Sequence, residues 1–507
     1  MSKYKGTVHT TLHVTLHAAL LGSALLAQGT SAAEWETEAG ISLGGYYSDN
    51  ICLAPTDEEG KAVATARPDI SLQGTGARGN VSLQAAAEVN SLGESNLDCA
   101  TGQGGQLTNR ESVVPSLRFN ADYELIQDWL QLEADASARR NPINPFAPGG
   151  EDSINGRENT SILYDYGVGA LLQRRIARAA LLRLRYNYNE QFNNVGLFGD
   201  SSEDRVQFDL DTLPDTGRIS AGIGGRYSRI SYDSSDLRPA FDNELSSAEF
   251  RLGLQLTSSW QVNGLVGEEW NEFTSVRDDI DGSFWDAGIR WTPNSRVEVA
   301  AGTGERFFGS TPRLDISYRH KRSLLTASYT RTISFPRNLR GADSDFTDPD
   351  DPFGPGFGDL PGDPLTGDGL QTFIGDTPVL DERLTLSYRF TGRRTNFTLS
   401  GSDSRQERTE DLSEATFRSV NFTATRTLSS KLSADFRLGW SENEGQGPAV
   451  GSFGQNAKTW RGGFGFTRRI GNDTSVNVAY QYVTRDSDFA FNNYNENRIT
   501  FSVRFGF

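Results

Sequence analysis

The densest patch of chemistry-bearing side chains in this 507-residue chain is a run of aspartates. Nine stand between Ser334 and Pro378, at 343, 345, 348, 350, 351, 359, 363, 368 and 376, against only Arg337 and Arg340. Carboxylate oxygens are the ligands Ca²⁺ takes, so Asp343, Asp345 and Asp348 are a candidate cation site. Their spacing lacks the central Gly and terminal Glu of an EF-hand loop. Gly and Pro recur through the segment, as in Asp350-Asp351-Pro352-Phe353-Gly354-Pro355-Gly356. A connection of this length is usually functional or a solvated surface loop. Three readings stay open: a solvated loop, an acidic constriction folded inward, and a cation site.

The amino-terminus carries a second kind of information. Lys3 and Lys5 precede the apolar stretch Ala18 to Ala27, and Ser31-Ala32-Ala33 offers small residues for cleavage. Residues 1–33 therefore read as a secretory signal, too short in its apolar part to span a bilayer as a helix. Its removal takes two Lys and no acid, which leaves 47 basic against 66 acidic residues and a net charge of −19. That charge gives no footing for a nucleic-acid partner. Export makes Cys52 and Cys99 a candidate disulfide. Three of the four His lie in the signal, so the mature chain keeps only His320, in the basic turn Arg319-His320-Lys321-Arg322. No Walker-type phosphate-binding loop, H-E-x-x-H or C-x-x-C pattern occurs. Neither an enzyme nor a cofactor site is expected.

Almost everywhere else the apolar residues recur at period two. Val81, Leu83, Ala85, Ala87 and Val89 alternate with polar residues. So do Leu130 to Ala138, Ile162 to Leu172, Ala180 to Tyr188, Leu432 to Trp440 and Val476 to Tyr482. Successive strand side chains point to opposite faces, so each run has one apolar face and one polar face. Runs of about ten residues of this kind, joined alternately by short turns and longer polar loops, are the pattern of a transmembrane antiparallel β-barrel. The runs number about 22, within 18 to 24, over residues 34–507, and are least regular between 304 and 331. An even number places both termini in the periplasm and the long loops outside.

The tryptophans test that topology. Trp35, Trp129, Trp260 and Trp291 fall at strand ends assigned to the periplasm. Trp270, Trp285, Trp440 and Trp460 fall at the opposite ends. Two aromatic girdles are what interfacial Trp makes in a barrel. The assigned turns are basic (Arg174-Arg175, Arg393-Arg394, Arg468-Arg469) and the assigned loops acidic (Asp57-Glu58-Glu59, Asp278 to Asp281). The acids are either ordinary solvation of exposed ends or a divalent-cation bridge to lipopolysaccharide. On the polar faces Arg139, Arg183, Arg185, Arg226, Arg437 and Arg504 recur, to pair with acids across strands or to orient a solute.

The last strand, Asn497 to Phe507, alternates Ile499, Phe501, Val503, Phe505 and Phe507 with polar residues. It resembles the close of a bacterial outer-membrane barrel, in which the aromatic end, here Phe501, Phe505 and Phe507, belongs to the signal read by the barrel-assembly machinery. The amino-terminal end carries a narrower resemblance. Trp35, Ile41-Ser42-Leu43, Tyr47-Ser48-Asp49-Asn50-Ile51, Leu53-Ala54-Pro55, Pro68-Asp69-Ile70-Ser71-Leu72, Gly76-Ala77-Arg78, Asp128-Trp129-Leu130 and Asn141 to Pro148 resemble the PEP-CTERM system-associated outer-membrane proteins over residues 35–190. The resemblance implies a Gram-negative outer-membrane location and a link to exosortase and exopolysaccharide genes. It implies no catalytic or binding residues.

The function expected is a passage through the outer membrane for exopolysaccharide export or surface assembly. The alternatives are a cation-preferring diffusion porin and a non-conducting surface scaffold whose lumen is blocked by residues 334–378. Twenty-two strands also suit a TonB-dependent transporter, but those hold a plug ahead of the barrel, and here the first strand is expected to start at Trp35. The expected partners are outer-membrane lipid, lipopolysaccharide, the assembly machinery, and exopolysaccharide or its export proteins.

Overall fold

The computed structural model describes residues 33–91, 113–148, 159–176, 179–194, 199–213, 217–235, 238–340, 372, 375–446, 456–471 and 473–507. The alternating runs form a single antiparallel sheet of 23 strands. One of them, β14 (Gly309–Ser310), is a two-residue rung at the rim, so 22 strands make the wall. The wall closes where β1 (Glu34–Ser48) pairs with β23 (Tyr494–Gly506), from Gly40 opposite Gly506 to Ser48 opposite Arg498. Closure satisfies the backbone of both edge strands along that stretch, which a bilayer core demands.

The period-two pattern decides which face meets lipid. On β10 (Phe241–Gln255), Phe250, Leu252 and Leu254 are exposed on the outside of the wall, as are Phe436 and Leu438 on β20 (Leu432–Gln446). A belt of exposed apolar side chains around a closed wall is stable only in hydrocarbon. Polar residues alternate with it and face the lumen. The chain is an outer-membrane β-barrel. Among the described residues no helix is long and apolar enough to cross a membrane.

Connections differ between the two ends. At one, the turn end, neighbours are joined by turns such as Arg393-Arg394 between β17 (Val379–Thr391) and β18 (Thr395–Arg408). The other, the loop end, carries the longer connections. The pattern between 304 and 331 is irregular for a structural reason: β13 (Val297–Arg306) pairs with β15 (Arg313–His320) only from Val297 to Gly302. Beyond it β13 bends into the β14 rung. There a Cβ at Gly304 would stand 2.2 Å from the Trp285 carbonyl oxygen, so only glycine permits the approach. The buried apolar clusters, such as Phe146 with Leu339, Val379, Ala415 and Phe417, lie at the loop end.

Candidate functional site

A barrel of this width has a lumen that wall side chains alone do not fill. Its middle is lined by paired charges. Arg251 of β10 donates to Asp209 (2.7 Å) and Asp211 (3.0 Å) of β8 (Ser201–Thr212) and to Glu249 (3.0 Å). Arg183 reaches Asp211 at 2.8 Å, Arg185 reaches Glu133 at 3.2 Å, Arg226 reaches Glu249 at 3.7 Å, and Arg504 reaches Asp69 at 2.9 Å. Arg139 donates to Ser137 at 3.3 Å. The arginines singled out from the sequence are thus largely engaged in cross-strand pairs. Each neutralises its neighbour, which leaves a polar wall of mixed sign.

The loop end is crossed by chain. After β5 (Leu130–Pro142), residues Ile143 to Pro148 fold inward as a knuckle. Asn159 staples it: its Nδ2 donates to the carbonyls of Asn144 (2.8 Å), Ala147 (3.3 Å) and Pro148 (3.1 Å), and its Oδ1 accepts from the Asn144 N–H (2.8 Å). The far wall holds the tip. Arg485 of β22 (Thr474–Ser487) donates to the Phe146 carbonyl at 2.7 Å, and Asn443 of β20 donates to the Pro145 carbonyl at 2.6 Å. The Phe146 ring lies 6.0 Å from that of Phe417 on β19 (Glu414–Ser429).

A second crossing follows β16 (Ser323–Ser334). Pro336–Arg340 forms one helical turn, opened by Pro as helix starts commonly are. Phe335 packs on Ile230 and Tyr232 of β9 (Ile219–Tyr232). Arg337, 1% exposed, reaches β7 (Ala180–Asn193) and β8: its Nη2 donates to Asn189 Oδ1, its carbonyl accepts from Gln191 (3.3 Å), and its Nη1 sits 3.7 Å from Glu203. Its Nε and Nη1 make no hydrogen bond among the described residues. Leu339 and Phe146 lie in one buried apolar cluster, so the two crossings share a core. A third contact joins two loops that are not neighbours on the wall: the Val276 N–H donates to the Thr409 carbonyl (2.8 Å), and Arg277 to Glu407 (2.7 Å). Leu53 sits at φ 52°, a costly backbone for a branched residue, and is held there by burial against Val483 and Tyr494.

Asp200, between β7 and β8, has its carboxyl held above the usual carboxylate range, chiefly by desolvation. The Asn193 N–H, donating at 3.1 Å, works in the opposite sense, and the charge of Asp233 adds to the rise.

The residues expected from the sequence fall as follows. Trp260 and Trp291 face each other across β11 (Trp260–Glu272) and β12 (Gly282–Asn294), their rings stacked at 5.6 Å near the turn end. Trp270 and Trp285 lie exposed nearer the loop end of the same strands, and Trp440 faces Trp460 across β20 and β21 (Asn456–Arg469) at 6.3 Å. Trp260 and Trp270 are ten residues apart on one face, roughly 33 Å along the strand and about 25 Å after tilt, the height of an apolar band. Trp129, at the turn end, carries the Arg174 guanidinium 3.7 Å above its ring, and Trp35 is exposed on β1. Phe501, Phe505 and Phe507 all point outward, Phe507 at 83% exposure. His320 stacks on Tyr318 at the turn end. Cys52 is disulfide-bonded; Cys99, the other cysteine of the chain, lies outside the described residues, as do Asp343, Asp345, Asp348 and residues 1–32. No metal-holding group of His, Cys, Asp and Glu is found among the described residues.

The inturned knuckle was not foreseen. Its one signal is compositional: Asn141 to Pro148 (NPINPFAP) ends an alternating run with two Asn and three Pro, residues that favour turns.

No family model matches the chain, and no curated protein does. Solved structures do. The siderophore receptor PirA from Acinetobacter baumannii is 11% identical over 93% of this chain and 81% of its own, with a TM-score of 0.51. The ferric enterobactin receptor PfeA from Pseudomonas aeruginosa is 10% identical over 93% and 80%, with a TM-score of 0.49. The first of these likenesses shows a shared fold, that of a large outer-membrane β-barrel.

Proposed function

We propose that this barrel is a gated passage through the outer membrane, closed at rest at its loop end, and that it serves exopolysaccharide export or surface assembly. The observation that carries the gate is the double crossing of the mouth, Ile143 to Pro148 from one side and Phe335 to Arg340 from the other, joined in the apolar cluster that holds Phe146 and Leu339. The polysaccharide link rests on the resemblance of residues 35–190. In this orientation the turn end faces the periplasm, and the loop end faces outward among lipopolysaccharide.

The crossings speak against a permanently open diffusion porin. A permanently closed scaffold is the second reading, and the same packing favours it. Arg337 tips the balance to a gate. Burying a guanidinium that is held by one hydrogen bond and a 3.7 Å ion pair, with no hydrogen bond to its Nε among the described residues, costs free energy that the closed arrangement must carry, so this seat is poised to release.

Single-channel recording in planar bilayers tests the proposal, with the intact protein beside an Asn443→Ala/Arg485→Ala variant that frees the knuckle tip. A gate predicts near silence in the intact protein and steady conductance in the variant. Large conductance in both identifies a porin. Silence in both, with the variant correctly folded, identifies a scaffold.

A further inference from the structure

At the turn end, the strands that a turn connects run side by side up to that turn: Gly76 pairs with Gly79, Gln255 with Gln261, His320 with Ser323, and Ser429 with Leu432. The seam has no turn and is stepped. The last backbone bond from β23 to β1 is the Phe507 N–H to the Ala39 carbonyl, at 2.8 Å. Below it β1 continues for five residues, Glu34 to Glu38, paired on one side only, with Thr75 to Ser71 of β2 (Lys61–Gly76). All five are exposed.

The register shows which groups are free. Ala39 points its backbone toward β23, so Thr37 and Trp35, two and four residues earlier, aim their N–H and C=O groups the same way, into an edge that no described residue occupies. Side chains divide by face. Trp35 continues the outward row of Leu43, whereas Glu34, Glu36 and Glu38 stand together on the lumen side. An open edge is a template for one more strand. Three carboxylates in a row on one face call for a strand with basic residues at alternate positions on that face. A second copy of this edge does not fit, because antiparallel self-pairing would set glutamate against glutamate.

We propose that Glu34–Glu38 of β1 is a strand-addition site for an extended basic segment of a protein on the periplasmic side. The site rests on the orientation given above, not on the gate. The added strand would extend the wall at the seam, with lysine or arginine over the glutamates and small or apolar side chains beside Trp35 and Thr37.

The test uses the refolded full barrel in detergent micelles and two synthetic octapeptides, one alternating Lys with Val and the other Glu with Val. Binding is read by fluorescence anisotropy, and the edge amides by hydrogen exchange. The Lys/Val peptide is expected to bind and to slow exchange at Trp35 and Thr37, while the Glu/Val peptide does neither. Thr37→Pro removes a free-edge N–H without touching the ladder to β2, and should weaken binding about tenfold or more with the barrel intact. A Glu34→Lys/Glu36→Lys/Glu38→Lys variant should reverse the peptide preference. The proposal is overturned if the peptide binds without protecting residues 34–38, if neither variant changes its affinity, or if the edge amides of the intact protein are already protected without peptide. The last outcome would assign the edge to another segment of this chain.

Discussion

The two ends of the barrel are built on opposite principles. At the turn end the strands that a turn connects finish together, the connections are short and basic, and Trp260 stacks on Trp291 on the outer face. At the loop end the chain turns inward, buries Phe146, Leu339 and Phe417 in a small apolar cluster, and places Arg337 and Arg485 where water is excluded. The turn end is held by the lipid interface and the ladder. The loop end is held by a few side-chain contacts to residues distant in sequence. The two ends thereby divide the work of holding the molecule: the ladder makes the wall, and sparse contacts hold the crossings. Sparse contacts are the kind that open locally without unfolding the whole.

That difference can be broken by single substitutions. The largest effect is expected from Phe146→Ala, which empties the cluster shared with Leu339, Val379 and Ala415. A buried Phe→Ala change costs about 3–5 kcal/mol. The loss should fall on the closure, so hydrogen exchange at residues 143–148 should rise steeply while the heat-modifiable mobility of the folded barrel is kept. Collapse of the whole barrel would show that closure and wall are one cooperative unit. Asn159→Ala should come next, since it removes the amide that binds three carbonyls of the knuckle. A loss of about 2 kcal/mol of local stability is expected, at about 1 kcal/mol per net hydrogen bond, and limited proteolysis at the knuckle would read it.

The turn end supplies the contrast. Trp260→Ala should lower the melting temperature in detergent by an amount matching about 1 kcal/mol for the ring pair beyond its area. It should leave exchange at the knuckle and single-channel behaviour untouched. A change in conductance from that substitution would mean the two ends are coupled. The smallest effect concerns Asp200. Its carboxyl is raised in the folded protein, so its charged form is disfavoured there, and folding loses stability as pH climbs through its titration. Asp200→Asn should flatten the acid-side pH dependence of melting and change neutral-pH stability within about 0.5 kcal/mol.

Much of the wall was legible in the residue order. Ile162 to Leu172, Leu432 to Trp440 and Ile499 to Phe507 each declare a strand and its lipid face, because a two-residue period is local and needs no partner to be seen. Strand count followed, apart from the two-residue rung at Gly309–Ser310, where the alternation gives way near Gly302 and Gly304. The mouth was not legible in the same way. Ser334 to Pro378 stood out by its aspartates, yet the crossing within it is made by Phe335, Arg337 and Leu339, which carry no periodic signature. Asn141 to Pro148 stood out only as part of a family-like segment.

The sequence by itself therefore determined the local periodicity, and with it the all-β class, the lipid-facing side of each strand and the outward row of Trp35, Trp129, Trp270 and Trp460. Tertiary structure alone decided which residues meet across the lumen. Phe146 finds Arg485, Pro145 finds Asn443, and Gln191 finds Arg337 only once closure has curved the sheet around them. It also decided that β1 outruns β23 by five residues, since the register of a seam is set by the closure of the whole sheet and not by any turn. Period two is written in neighbours along the chain. Contacts across a barrel are written in its circumference, which no single strand contains.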